Sequence, residues 1–347
     1  MRTCLRARAL ATSLIGLVVV GSVLAGCSNG SRGDTESEDP PVGDVPFALV
    51  LPDDLAVSED GQQVLADCWD GICRWNTTDG ILATVDDGSH VAMSPDWSLI
   101  AGVGDDATVV LVDAESEDVV HELSGHQDEE IVDGSPIQDI AFSPDGSVVA
   151  SAGLDGQVIV WSVEDGSEIV TIETDTDVSA VSFSPDGARL ATAGGAPVQV
   201  FDVPSGGLIT TLSDSSPDGS GLAWSPDGRW LAAPGPGGGP AVWRTEDFAL
   251  TEELTGRSLK ELAFAPDSRA LAVSDTEDET IRLWTPEALG GGKDGDIREL
   301  VGHTDQPGAV VFAPDGATLY SVAGMDGVLA WDVRTGKLAM EFELPDR

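Results

Sequence analysis

Basic residues are scarce in this chain. Of 347 residues only 17 are Lys or Arg, against 61 Asp or Glu, which gives a formal net charge of −44. Phosphate backbones are held by clustered Lys and Arg, so nucleic acid is excluded as a partner. Adhesion of the protein surface to anionic lipid is excluded on the same ground. Histidine is scarcer still: His90, His121, His126 and His303 are the four, and no pair has the close spacing of a zinc site. Long apolar runs are missing as well. The N-terminal stretch from Ala9 to Leu24 is about 16 residues, short of the ~20 that a membrane span needs.

Catalytic patterns fare no better. Gly26-Cys27-Ser28-Asn29-Gly30 matches a nucleophile elbow in letters only, with no strand-turn-helix around it. Gly235-Pro236-Gly237-Gly238-Gly239 has the glycines of a phosphate loop but no Lys-Ser/Thr and no helix after it, and reads as a turn. Asp175-Thr176-Asp177 and Glu277-Asp278-Glu279 lack the full oxygen-ligand loop of a calcium site and read as solvated turns. Acidic pairs are too abundant to single out two as acid and base. The sequence therefore predicts no catalytic residues, no metal and no cofactor.

What is present is a repeat. One short phrase returns seven times, at Ser58-Glu59-Asp60-Gly61, Ser94-Pro95-Asp96-Trp97, Ser143-Pro144-Asp145-Gly146, Ser184-Pro185-Asp186-Gly187, Ser225-Pro226-Asp227-Gly228, Ala265-Pro266-Asp267-Ser268 and Ala313-Pro314-Asp315-Gly316. The aspartates are spaced 36, 49, 41, 41, 40 and 48 residues apart. A period near 40 with turn and strand content marks a blade array. In the third copy the spacing predicts strands over 137–142, 148–151, 158–161 and 169–172, joined by tight turns at 143–146, 154–156 and 164–166. The strand runs are nearly continuous in Val, Ile, Ala and Phe, as expected of strands covered on both faces. The prediction is an all-β fold, a seven-bladed β-propeller of four-stranded antiparallel blades. The segment from Leu338 to Leu344 can supply the outer strand of the seventh blade, and that from Val45 to Leu51 can compete for that edge or add to it.

These residues resemble the WD-repeat family of β-propellers, in Gly125-His126 and Gly302-His303 and in third-strand ends such as Trp161-Ser162 and Trp331-Asp332. The likeness runs over about 53–347. It implies a buried hydrogen-bond chain from Trp to Ser to His to Asp, carried by Trp161, Ser151, His126 and Asp155 and again by Trp331, Ser321, His303 and Asp326. It implies no activity, because propellers host many functions. The fourth and fifth blades lack the chain, with Gly194-Gly195 and Pro234 to Pro240 in place of the Asp turn, and are expected to hold by apolar packing alone. The family binds through one rim of the ring. The positions just before the turn Asp on that rim are Trp69, Asp105, Leu154, Glu277 and Met325. Two inserts break the period, Gln127 to Pro136 and Pro286 to Glu299, and long loops on a rigid frame are where specificity is placed. Trp97 stands where other turns have glycine and is expected to be exposed on the opposite rim.

Residues 1–26 read as a signal peptide, with Arg2, Arg6 and Arg8 ahead of the apolar stretch and small residues before the cut. Leu24-Ala25-Gly26-Cys27 looks like a bacterial lipobox, which makes Cys27 the lipid-attachment residue; an ordinary cleaved signal and an uncleaved anchor are the alternatives. Residues 27–52 form a lipidated, acidic, flexible tether and 53–347 the propeller. Cys68 and Cys73 flank Trp69-Asp70-Gly71-Ile72. A two-residue Asp70-Gly71 loop would set them face to face and suit a disulfide, with two reduced thiols as the alternative. The acidity keeps the surface soluble, and also suits a basic protein partner, loose capture of divalent cations or a salt-adapted host. The function expected is a monomeric, lipid-anchored, extracytoplasmic scaffold for a protein partner of unknown identity, touching the membrane through its lipid alone. A propeller hydrolase or dehydrogenase and an ion or small-ligand sensor are the rival classes.

Overall fold

The computed structural model describes residues 55–342 except 59, 69–70, 78–81, 87–88, 105–106, 117, 128–135, 218–220, 255–258, 276–278, 291–295 and 324–325. The leader, Cys27, the tether and the segment from Val45 to Leu51 lie outside these residues. Seven four-stranded antiparallel sheets follow one another along the chain, each built from consecutive strands. Blade 1 holds β1 to β4 (Leu55–Val57, Gln63–Cys68, Gly71–Asn76, Leu82–Asp86), and blade 2 holds β5 to β8 (Ser89–Met93, Leu99–Val103, Thr108–Asp113, Val119–Ser124). Blade 3 holds β9 to β12 (Ile137–Phe142, Val148–Gly153, Gln157–Ser162, Glu168–Glu173), and blade 4 holds β13 to β16 (Val178–Phe183, Arg189–Gly194, Gln199–Asp202, Gly207–Thr211). Blade 5 holds β17 to β20 (Ala223–Trp224, Trp230–Pro234, Pro240–Arg244, Ala249–Glu253), and blade 6 holds β21 to β24 (Leu259–Phe264, Leu271–Asp275, Thr280–Thr285, Asp296–Val301). Blade 7 holds β25 to β28 (Pro307–Phe312, Thr318–Ala323, Gly327–Asp332, Lys337–Phe342). The molecule is an all-β, seven-bladed propeller, with no α-helix among the described residues.

In the third blade β9 has the predicted bounds, and β10 and β11 run further because their ladder continues through Ala152 opposite Val158. Both middle strands are buried almost throughout, whereas β12 is largely exposed. The apolar runs therefore belong to strands sandwiched between sheets, and each apolar cluster joins two blades. Ala150, Val158 and Val160 of blade 3 pack with Val181, Leu190 and Phe201 of blade 4. Trp284 of blade 6 packs with Ala232 and Val242 of blade 5. Removing such a ring costs about 3–5 kcal/mol.

The ring closes without exchange of strands among the described residues. β28 pairs with β27 as the outer strand of blade 7, so the C-terminal candidate supplies that strand, over Lys337–Phe342. Val64, Ala66, Cys73 and Trp75 of blade 1 share a cluster with Tyr320, Val322, Val328 and Phe342 of blade 7. The Trp75 and Phe342 ring centroids are 6.4 Å apart.

The repeated turn is a small hydrogen-bonded device. In Ser143-Pro144-Asp145-Gly146 the Ser143 hydroxyl donates to Asp145 Oδ1 at 2.7 Å, and accepts from the Val148 N–H at 3.1 Å. Asp145 also accepts the Ser147 N–H and hydroxyl, which hold its carboxyl down to about 2. Gly146 has φ 70°, which a glycine adopts without strain. The turns also touch each other around the ring. A Cβ on Gly146 would lie 3.5 Å from Pro95 Cδ of blade 2, and one on Gly316 would lie 3.6 Å from Pro266 Cδ of blade 6. Where Ser268 replaces the glycine, its hydroxyl accepts the Asp227 N–H of blade 5 at 3.1 Å.

Four readings of the sequence need correction. Trp97 is half-buried, not exposed: it packs with Ala56 and Leu65 of blade 1, whose own turn has Glu59 in place of proline. The segment from Pro286 to Glu299 is in its described part no free loop. Glu287–Leu289 is a 3-10 turn with Leu289 buried between blades 5 and 6, and Asp296 begins β24. Blades 4 and 5 do not rely on apolar packing alone. Ser215 accepts the Val198 N–H at 2.8 Å and donates to Leu212 O at 2.7 Å, and Trp224 Nε1 donates to Ser182 O across the two blades at 3.1 Å. The hairpin of blade 5 pairs fully, through Pro234 opposite Pro240, around the glycine-rich turn. Finally, the β2–β3 register sets Cys68 opposite Gly71 and Cys73 opposite Ala66. The two cysteines thus hold diagonal positions, not facing ones. Cys73 is fully buried and disulfide-bonded.

Candidate functional site

One rim is pinned by two buried histidines. In blade 3, Trp161 Nε1 donates to Ser151 Oγ at 3.0 Å, Ser151 Oγ meets His126 Nε2 at 2.8 Å, and His126 Nδ1 meets Asp155 Oδ2 at 3.0 Å. Asp155 also accepts the N–H groups of Gln127 and Gln157, at 2.9 and 3.0 Å. The chain thus ties the segment entering the blade to the β10–β11 turn. Glycine precedes the histidine for a steric reason: a Cβ on Gly125 would lie 2.7 Å from the edge of the Trp161 ring.

Blade 7 repeats the arrangement. Trp331 Nε1 donates to Ser321 Oγ at 2.8 Å, Ser321 Oγ meets His303 Nε2 at 2.7 Å, and His303 Nδ1 meets Asp326 Oδ2 at 3.2 Å. Burial pushes the His303 imidazole below its ordinary value, against the pull of Asp326. Burial works the other way on Asp326 and is overcome by hydrogen bonds from Thr304 and Asp305, which hold its carboxyl below the usual range. Both ring nitrogens of each histidine are therefore committed to the fold.

The other blades vary the theme. Thr192 and Gly194 of blade 4 align with Ser151 and Gly153, and with no histidine in the sequence there a small recess of mixed polarity opens beside them, lined also by Thr176, Asp177 and Gln199. In blade 6 the serine position is Val273, since Val273 stands two residues past the partner of Trp284 just as Ser321 does past that of Trp331. Trp284 Nε1 is consequently the one buried side-chain polar atom without a hydrogen-bond partner among the described residues. On the same strand face Arg282 is buried, with its Nε 3.6 Å from Glu299. Sequence reasoning missed this rewiring, although Val273 and Arg282 at those two positions announce it.

Of the rim positions, Leu154 is on view. It precedes Asp155 in the β10–β11 turn, donates its N–H to Pro136 O at 2.8 Å and leaves its side chain 38% exposed. Trp69, Asp105, Glu277 and Met325 lie outside the described residues, as does most of the acidic 127–136 insert. Among the described residues no three His, Cys, Asp or Glu side chains gather as a metal would require. Fold and site together define a seven-bladed propeller whose buried polar chains hold turns.

Comparison with known proteins agrees on the repeat. Residues 117–162 and 166–196 match the family "WD domain, G-beta repeat", and the first stretch contains His126, Ser151, Asp155 and Trp161. Over 76 residues, 22% of this chain, the protein is 32% identical to "WD repeat and SOCS box-containing protein 1" of Xenopus tropicalis. The protein of the same description from Danio rerio is 32% identical over 75 residues. The match spans 17% of the length of each of these relatives.

Proposed function

We propose that this propeller is a non-catalytic platform that binds another envelope or secreted protein, held outside the cytoplasmic membrane by lipid on Cys27. The observation that carries the binding role is Leu154, an apolar side chain presented on a turn whose next residue is locked by three hydrogen-bond partners. An exposed apolar group on a rigid support suits a binding hot spot, because little entropy is lost on contact. Trp69, Asp105, Glu277 and Met325 extend the rim around the ring. The committed ring nitrogens of His126 and His303 support a structural use of the polar interior over general acid–base work. The leader with its lipobox, the acidic tether and the disulfide at Cys73, for which Cys68 is the partner we assign, fit an exported, monomeric protein.

The test is a photo-crosslinking amino acid at position 154 in cells, with palmitate labelling of the same chain. A discrete protein adduct and label lost in Cys27→Ser support the reading. An unlabelled chain overturns the anchor, and labelled chain without adduct overturns the rim.

A further inference from the structure

The outer strands carry a second feature, on the side wall of the ring. In β8, β12, β16, β20 and β28 the pairing register shifts by one residue at the same place, just past the partner of the conserved third-strand position. The residues bulged out there are Val120, Ile169, Ile209, Thr251 and Ala339. A bulge blunts an edge strand and aims its extra side chain outward. In three neighbouring blades that side chain is branched and apolar. Val120 is 42%, Ile169 45% and Ile209 43% exposed, with Val119 and Leu208 beside them at 56% and 54%. Neighbouring blades touch along this wall at their outer turns. The β11–β12 turn lies on β8, where a Cβ on Gly166 would come within 3.0 Å of His121, and the β15–β16 turn lies on β12, where one on Gly206 would come within 2.7 Å of Val170.

Charge selects the occupant. From Trp75 to Ala188 the sequence has 25 Asp and Glu and no Lys or Arg. Around the apolar bulges of blades 2 and 3 Glu115, Asp118, Glu122, Glu164, Asp165 and Glu168 are exposed. In blades 6 and 7 basic residues intervene: Arg298 follows Ile297, and Lys337 precedes Leu338. Contiguous exposed apolar groups rimmed by one sign of charge mark an interaction surface.

We propose that the outer wall of blades 2 to 4 docks a cationic amphipathic segment of a partner protein, its apolar face on Val120, Ile169 and Ile209 and its Lys and Arg among the surrounding carboxylates. This deepens the protein-binding reading above and rests on it, while using a surface separate from the Leu154 rim.

The test uses the full mature chain in detergent and a synthetic 18-residue amphipathic Leu/Lys peptide, with a scramble of the same composition. Simple charge attraction binds both peptides alike, so the readout is their affinity ratio. The amphipathic peptide binds at least about tenfold tighter than the scramble, as three apolar contacts would give. Val120→Thr/Ile169→Thr/Ile209→Thr, which copies the Thr251 that blade 5 already carries at this bulge, abolishes the preference at unchanged melting temperature. Ile297→Thr on blade 6 retains it. A preference that survives the triple variant, or that Ile297→Thr removes equally, overturns the proposal. Phosphatidylcholine vesicles that bind through the same three residues also overturn it, in favour of a membrane contact. Leu154→Asp keeps the preference. A rim that captures no partner while the wall still selects the peptide therefore fails the rim alone, and the reverse fails the wall alone.

Discussion

Gly61 and Pro314 are 253 positions apart in sequence, yet a Cβ on Gly61 would lie 3.8 Å from Pro314 Cδ. The first repeated turn thus rests on the last as the copies at Gly146, Gly187 and Gly316 rest on Pro95, Pro144 and Pro266. The closure is one more inter-blade contact of the ordinary kind, backed by the shared cluster around Trp75 and Phe342.

If the glycines of the turns serve both backbone and inter-blade packing, the two costs separate. Gly228 has φ 70° and nothing near its absent Cβ, so Gly228→Ala costs about 1 kcal/mol in backbone strain. Gly206 has φ 66° and Val170 Cγ2 at 2.7 Å, so Gly206→Ala costs a further ~1–3 kcal/mol by overpacking. Urea unfolding of the two variants checks the order.

The serine position of the buried chains predicts opposite effects in two blades. Ser151→Ala leaves Trp161 Nε1 and His126 Nε2 without their shared partner and costs about 1–3 kcal/mol. Val273→Thr, nearly the same shape, gives the orphaned Trp284 Nε1 an acceptor and raises stability by about 1 kcal/mol. Thermal melts of both variants measure this.

Acid should weaken the fold in two stages. Burial lowers the folded value of His303 below its ordinary 6.5, so the unfolded chain takes up its proton first. The stability from this group is whole above pH 6.5 and falls as pH drops through that value. The turn aspartates Asp60, Asp96, Asp145 and Asp186 are held below 3.8 by hydrogen bonds, Asp145 to about 2. Their contribution is whole above 3.8 and is lost toward pH 2. Urea midpoints against pH trace both stages, and His303→Gln flattens the upper one.

Reduction tests the cysteines. The loop between Cys68 and Cys73 is small, so opening the Cys73 disulfide costs no more than about 2 kcal/mol. Non-reducing peptide mapping finds Cys68 linked to Cys73, and Cys68→Ser abolishes the reduction-dependent shift in melting temperature.

The blades were legible because their signals are local. A Ser-Pro-Asp-Gly turn and four short apolar runs specify one sheet, and 137–142 is read to the residue. The polar chains were legible where Trp, Ser, His and Asp all survive in blades 3 and 7. What escaped depends on neighbours about 40 residues away. Trp97 is half-buried because it packs on a cluster that joins Leu65 of the preceding blade to Ile100 of its own. The side wall is invisible in any single repeat, since Val120, Ile169 and Ile209 stand on three different sheets. The cysteine hairpin was misread, because two registers are acceptable in the sequence and the β2–β3 ladder decides between them.

The central claim is a division of labour, in which buried polar groups hold the rim and exposed groups upon it bind. It is tested most directly by measuring partner crosslinking, with an added bifunctional reagent in place of the probe at position 154, and melting temperature together in Leu154→Asp and Ser321→Ala. The account predicts that Leu154→Asp loses the adduct at unchanged melting temperature, while Ser321→Ala melts earlier and still crosslinks when cold. Full crosslinking by Leu154→Asp, or loss of binding by Ser321→Ala while it remains folded, would contradict it.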